Sequence, residues 1–481
     1  MPSLVALRYV AAAGAVLALG AATASAGTRS TGGTAPLVTA VADPALFNSS
    51  QRATAFALTR AAGARYARLA VSWRVIAPAV RPTGFVAADP TSAGYSWGGL
   101  DAEVEAADAA GLTAILDIST APRWAFARRP DPPNAGTPRA AALHDFATAL
   151  ATHFDGSTPG VPAEHVFQVW NEPNLSLDLS PVKADKYRGM VNAVADAVHA
   201  VDPTNLAIAG ALEPVAHRKT KHQKWYSIPP LVFMRSLLCL SRGKHPHSTC
   251  PDAVHFDVWS HHPYTHGGPF GKAKLRDDVM LGDLPRMRAL LRAGVRLHHL
   301  VSRRPVQFWV TEFGWDTNPP RKHAASLYLA SRWTAESLFQ MWRSGVSLVT
   351  WFLLQDYRSP SPYQSGLYFR SRSVEHARAK PSLTAFRFPF VAYRHRRSVS
   401  VWGRDATSDQ RVVTLQLRHG KRGRWRTVAR VASNGYGIFR ASLGLKLSRK
   451  DWLRALAPGS GKSLAFSMTV PRAPHIGPWG Y

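Results

Sequence analysis

The chain has 481 residues and a formal net charge of +29, from 59 Lys plus Arg against 30 Asp plus Glu. With 46% hydrophobic and 10% aromatic residues it carries ample material for a packed core, which excludes an intrinsically disordered protein. Its length suits one large α/β barrel with a smaller appendage.

At the start of the chain, Arg8 precedes an apolar stretch over 9–22 and then Ala24-Ser25-Ala26, a small-x-small cleavage signal. This predicts a secretory signal peptide over 1–26, too short and too rich in Ala and Gly to span a bilayer. No later segment of that length lacks charges, so the mature chain is expected to be extracytoplasmic, without an integral membrane segment. A Gly/Ser/Thr-rich linker follows at 27–35.

From there, apolar β-like runs alternate with longer helical patterns. Eight strands are predicted, at 37–41, 66–71, 113–118, 166–170, 206–211, 256–260, 306–311 and 348–353. Several are continuous apolar runs, as expected where both faces of a parallel sheet are buried. Helical spacing recurs over 100–110, 185–201 and 324–343, with Gly111 and Gly345 as C-caps. No Gly-x-Gly-x-x-Gly follows the first strand, which argues against an open dinucleotide-binding sheet. The pattern predicts a (β/α)8 TIM barrel over 36–388, of the α/β class.

Within the barrel, Cys239 and Cys250 bracket a loop-like run, and an oxidising compartment lets them close a disulfide. A zinc site with His245 and His247 is the rival reading, weakened by the lack of a paired Cys-x-x-Cys. Beyond Lys380-Pro381 the alternation stops, and 391–481 reads as a small all-β, sandwich-like domain. It holds 18 Lys plus Arg against 3 Asp plus Glu, about half the net charge in a fifth of the chain.

In a parallel barrel, functional groups sit at the carboxyl ends of the strands. Two glutamates occupy such places: Glu172 after the fourth strand, in Trp170-Asn171-Glu172-Pro173-Asn174, and Glu312 after the seventh, in Thr311-Glu312-Phe313-Gly314. Two rim carboxylates facing each other are what hydrolysis of a glycosidic bond needs, one delivering a proton and the other meeting the anomeric carbon.

These segments resemble the clan A glycoside hydrolases, with closest likeness to families 5 and 39. The first is similar to that clan's acid/base motif and the second to its nucleophile motif. Arg68-Leu-Ala-Val-Ser-Trp73 resembles the second-strand segment whose Arg supports the nucleophile, and His262-Pro263-Tyr264 the sixth-strand motif whose Tyr hydrogen-bonds it. The resemblance covers roughly 37–388 and implies retention of anomeric configuration, with Glu172 as general acid/base and Glu312 as nucleophile. It further implies Asn171 on the sugar 2-hydroxyl and Trp351 as an aromatic platform beneath the sugar. Strand three departs from many family 5 members: Ile115-Leu-Asp117-Ile-Ser119 has no His.

On a strand His261 and His262 point to opposite faces, so no metal is expected; His262 reads as a polar wall of the sugar site and His261 as structural. No cofactor is implied. Secretion argues against a nucleic-acid partner despite Lys421-Arg422-Gly423-Arg424-Trp425-Arg426. The expected function is that of a secreted, monomeric retaining glycosidase acting on β-linked oligo- or polysaccharide, with an anionic cell-wall polymer as a partner of the basic domain. The alternative is a catalytically silent wall-binding protein.

Overall fold

The computed structural model describes residues 29–30, 35–127, 135–221, 223–359, 362–406 and 410–471; the predicted signal peptide lies outside them. Eight parallel strands close a barrel in chain order: β1 (Val38–Ala42), β2 (Tyr66–Ser72), β3 (Thr113–Ser119), β4 (Val166–Val169), β5 (Leu206–Leu212), β6 (Val258–His261), β7 (Gln307–Phe313) and β8 (Leu348–Phe352). Pairing of β8 with β1 and of β6 with β7 leaves no edge strand. Around it lie α1 (Arg52–Ala61), α2 (Gly98–Ala109), α3 (Ala140–His153), α4 (Ala184–Val201), α5 (Pro230–Leu237), α6 (Leu284–Arg296), α7 (Leu327–Arg343) and α8 (Pro381–Arg387). The TIM barrel read from the sequence is the observed fold, each strand starting within two residues of its expected position.

Strand alternation grades the barrel interior from apolar to polar. Ala40, Ile115, Val166, Ile208, Val258, Trp309 and Leu348 form a dry inner cluster. Two residues further along their strands the same inward parity brings Asp117, Gln168, Ser260, Thr311 and Thr350, all buried. The carboxyl end of the barrel is therefore lined by groups that can hydrogen-bond.

Two strands break register at that end. Between Val310 and Phe313 β7 holds one residue more than β8, and between Ala209 and Leu212 β5 holds one more than β6. Each is a bulge, which turns the side chains beyond it to a new direction. In β5 the bulge depends on Gly210, with φ +99: a Cβ there would run into the Ser260 carbonyl.

The C-terminal domain has two antiparallel sheets. One contains β9 (Phe390–Arg394), β10 (Val399–Arg404) and β13 (Ile438–Leu443); the other contains β11 (Val412–His419), β12 (Arg426–Ala432) and β14 (Asp451–Ala457). Arg29–Ser30, within the stretch read as a linker, pairs with β13 as an edge strand. Trp402 of β10 packs on Phe339 and Trp342 of α7, and Phe466 lies 3.8 Å beneath the Arg332 guanidinium, so the domain shares a continuous core with the barrel. Among the described residues, no helix is long and apolar enough to cross a membrane.

Candidate active site

Glu172 and Glu312 line one cavity of about 250 Å³ at the carboxyl end of the barrel, together with Tyr264, Tyr363, Glu213, His217 and Trp225. Local backbone sets both carboxylates. Trp170 and Glu172 hold left-handed φ angles of 69° and 37°, a costly conformation for residues with a Cβ. It is held by the Trp170 indole, which donates to the Asp178 carbonyl at 2.8 Å, and by the Glu172 N–H, which donates to the Ala211 carbonyl at 3.1 Å. Glu312 sits in the β7 bulge; without the extra residue, its parity would send it away from the interior that Thr311 enters.

The two carboxylates have opposite surroundings. Arg68, rising from β2 and almost fully buried, donates to Glu312 Oε2 at 3.0 Å, while the Tyr264 hydroxyl donates to Oε1 at 2.8 Å. Both partners donate to this carboxyl, one to each oxygen, and fix its orientation. Arg68 is itself fixed by Asp117 Oδ2 at 2.7 Å and Asn171 Oδ1 at 2.8 Å. Burial raises the Asp117 pKa to about 6 against the opposing pull of Arg68. The third strand, which departs from the family pattern, thus contributes the carboxylate that orients this guanidinium.

Among the described residues no Arg or Lys hydrogen-bonds or ion-pairs with Glu172; its Oε1 lies 2.9 Å from His262 Nδ1. Burial presses the His262 pKa down to about 3, so this ring is neutral at working pH. Its Nε2 meets Thr311 Oγ1 at 3.2 Å, which ties the glutamate to β7. Burial foremost, then the charges of Glu312 and Glu213, hold the Glu172 proton well above the ordinary carboxyl range. A cavity with one anchored carboxylate and one proton-retaining carboxyl can carry out nucleophilic attack and proton transfer at adjacent atoms of one substrate.

The remaining sequence candidates are distributed unevenly. His262 is fully buried behind Glu172 rather than exposed as a wall of the cavity. Asn171 is engaged by Arg68 and donates to Asp178 Oδ1 at 3.3 Å. Trp351 is 1% exposed, packs on Phe313 and Phe386 of α8, and donates to the Ser365 carbonyl. The next aromatic in β8, Phe352, has the parity of the interior, with its ring 5.3 Å from that of the cavity residue Tyr363. Cys239 and Cys250 form a disulfide after α5, with Cα atoms 5.2 Å apart. Among the described residues the single cluster with three candidate metal ligands is Cys239, Cys250 and Asp252, and its sulfurs are bonded to each other. Glu213, His217 and Trp225 were not singled out from the sequence; they lie on the loop after β5, where only the strand-end position of Glu213 gave a signal.

The family model for cellulase (glycosyl hydrolase family 5) matches residues 26–333. Solved structures with a similar fold include a family 39 glycoside hydrolase from the gut symbiont Bacteroides cellulosilyticus WH2, at 16% identity and a TM-score of 0.51 over 86% of this chain and 81% of that one. A monomeric β-xylosidase from Caulobacter crescentus CB15 aligns at 15% identity and 0.50, over 86% of this chain and 96% of that one. The GH39 enzyme from Xanthomonas axonopodis pv. citri aligns at 16% identity and 0.50, over 89% and 95%. No curated protein sequence matches the chain.

Proposed function

The chain belongs to the cellulase family, glycosyl hydrolase family 5, and hydrolyses O-glycosyl compounds; on that premise we propose that it is a secreted, retaining β-glycosidase working by double displacement. Glu312, oriented by Arg68 and Tyr264, attacks the anomeric carbon and forms a glycosyl ester as the bond to the leaving oxygen breaks. Glu172 gives its proton to that oxygen. In the second half, Glu172 takes a proton from water as the water displaces Glu312, returning both groups to their starting states.

The observation that carries this reading is the contrast between the carboxyls: one beside a buried guanidinium and a phenol, the other beside a neutral imidazole in the same cavity. Retention requires the carboxyl groups to stand about 5 Å apart, whereas inversion leaves room for water at about 6.5 to 9.5 Å. The test is proton NMR of the first-formed sugar from aryl β-glycosides and from oligosaccharides. Initial appearance of the β-anomer supports the reading; initial α-anomer overturns it.

The substrate class is an oligo- or polysaccharide, and the C-terminal domain adds a docking surface for an anionic wall polymer. The supporting observation is the outward face of the β11–β14 sheet. Arg418 lies 4.6 Å from the Trp425 ring and 5.4 Å from that of Trp452, and Arg454 lies 4.2 Å from Trp425. Guanidinium groups stacked on aromatics keep their charge at the surface while losing side-chain freedom.

A further inference from the structure

We propose that Glu213, His217 and Trp225 form the leaving-group subsite of this enzyme, selecting a hydroxylated sugar over an aryl or alkyl group. The inference rests on the glycosidase reading above and assigns a specificity to one end of its cavity.

Glu213 is the first residue after β5, beyond the Gly210–Ala211 bulge. The fully buried Asn174 grips its peptide from both sides: its Oδ1 accepts from the Glu213 N–H at 2.9 Å and its Nδ2 donates to the Glu213 carbonyl at 3.1 Å. Asn174 lies two residues beyond Glu172, so one side chain locks the segment of the proton donor to that of Glu213. The two carboxyls sense each other, since Glu213 is among the charges that raise the Glu172 proton affinity.

His217 Nε2 lies 2.8 Å from Glu213 Oε1. This hydrogen bond raises the His217 pKa against the opposing effect of burial, which favours the imidazolium with both nitrogens donating. Nε2–H is used by Glu213, whereas Nδ1 has no hydrogen-bond partner among the described residues, and about a third of the side chain is exposed. The cavity therefore offers a hydrogen-bonding ring nitrogen whose direction is fixed by Glu213. Trp225, with its ring centroid 4.7 Å from that of His217, supplies an apolar surface beside it. A donor next to an indole matches a pyranose, which has hydroxyls at its rim and C–H groups on its faces.

Position assigns the end of the cavity. The sugar that becomes esterified lies between Glu172 and Glu312, and the departing oxygen faces Glu172. The charges acting on Glu172 include Glu312 and, from this cluster, both Glu213 and His217. A group bound by His217 and Trp225 is held beside the proton donor, where the departing sugar must be.

The experiment compares kcat/KM on matched pairs, p-nitrophenyl β-glucoside with cellobiose and p-nitrophenyl β-xyloside with xylobiose, using the pair that wild type turns over, for wild type, His217→Ala, His217→Gln and Trp225→Ala. Loss of a hydrogen bond to a hydroxyl corresponds to roughly 10- to 100-fold. His217→Ala should lower disaccharide kcat/KM about 10-fold or more beyond its effect on the aryl glycoside, with Trp225→Ala shifting the ratio the same way. His217→Gln, which keeps an N–H donor, should restore part of the ratio. Equal losses on both substrates in correctly folded variants, judged by circular dichroism, overturn the subsite. Aryl glycoside turnover that survives Glu312→Ala would instead sink the underlying glycosidase reading, so the two failures are separable.

Discussion

The barrel mouth and the outer face of the β11–β14 sheet use the same strand alternation to opposite ends. At the mouth, alternation drives polar groups inward. Arg68, Asp117, His262 and Thr311 are all under 10% exposed, and each charge is matched at hydrogen-bond distance. On the sheet, β14 turns Leu453 and Ala455 into the core, and Trp452 and Arg454 toward solvent. Burial changes proton affinity, as Glu172 and His262 demonstrate. Exposed charge acts through a field that salt screens within about 8 Å at physiological ionic strength. The first suits covalent chemistry, the second retention on a charged surface. Two of the 30 acidic residues perform the proposed reaction, and the basic excess of the C-terminal domain is the proposed determinant of where the chain resides.

The largest effect that could break this contrast is at the nucleophile. Glu312→Ala should lower turnover of aryl glycosides by roughly 10⁴- to 10⁶-fold, the scale of losing a covalent catalyst; steady-state assays showing less than a tenfold loss would remove Glu312 from the chemistry. Glu172→Gln comes next, with about a 10²- to 10⁴-fold loss on leaving groups that need a proton. On 2,4-dinitrophenyl glycosides, whose leaving group departs as the anion, the glycosylation burst should be nearly preserved. A loss independent of leaving group would deny Glu172 the role of acid.

On the other region, the double variant Arg418→Glu, Arg454→Glu in the full chain should weaken binding to anionic wall polymer by about tenfold or more and flatten its dependence on salt. The full chain is needed because the domain shares its core with α7. Binding unchanged in cosedimentation across a salt series would mean that the sheet face is only a solvated surface.

The smallest effect concerns stability. The Glu172 proton affinity is raised in the folded state, so above the unfolded value of about 4.5 the unfolded chain releases this proton while the folded chain retains it. Stability is thus lost as pH rises from about 4.5 toward the folded-state pKa. Glu172→Gln removes that loss and should raise Tm by about 1–3 °C at pH 7, with the gain vanishing below pH 4.5. A gain that grows on acidification contradicts the assignment.

What could be read from sequence, and what could not, follows the same division. Strands buried on both faces are continuous apolar runs, so β3, β5 and β8 were legible from composition, and strand-end logic led to Glu172 and Glu312. The bulges in β5 and β7 were not legible, because one added residue leaves no trace in a hydrophobic pattern yet reverses the facing of everything after it. Trp351 was placed at the mouth by family resemblance, whereas the unbroken alternation of β8 gives the inward parity to Phe352. Asp117 could have been found, since an acid inside an apolar strand needs a buried cation, and Arg68 occupies the neighbouring strand. His217 and Trp225 could not, because a loop has no period from which to infer facing. Nor could the pairing of Arg29–Ser30 with β13, a contact across more than 400 residues of chain.

In the proposed double displacement Glu312 becomes covalently bonded to the sugar. Incubation with a 2,4-dinitrophenyl 2-deoxy-2-fluoro-β-glycoside, followed by proteolysis and mass spectrometry, tests it directly. Stoichiometric dinitrophenolate release and a fluoroglycosyl ester on the peptide bearing Glu312 are expected. Hydrolysis of the parent aryl glycoside with an adduct on another residue, or with none and an inverted product, would contradict it.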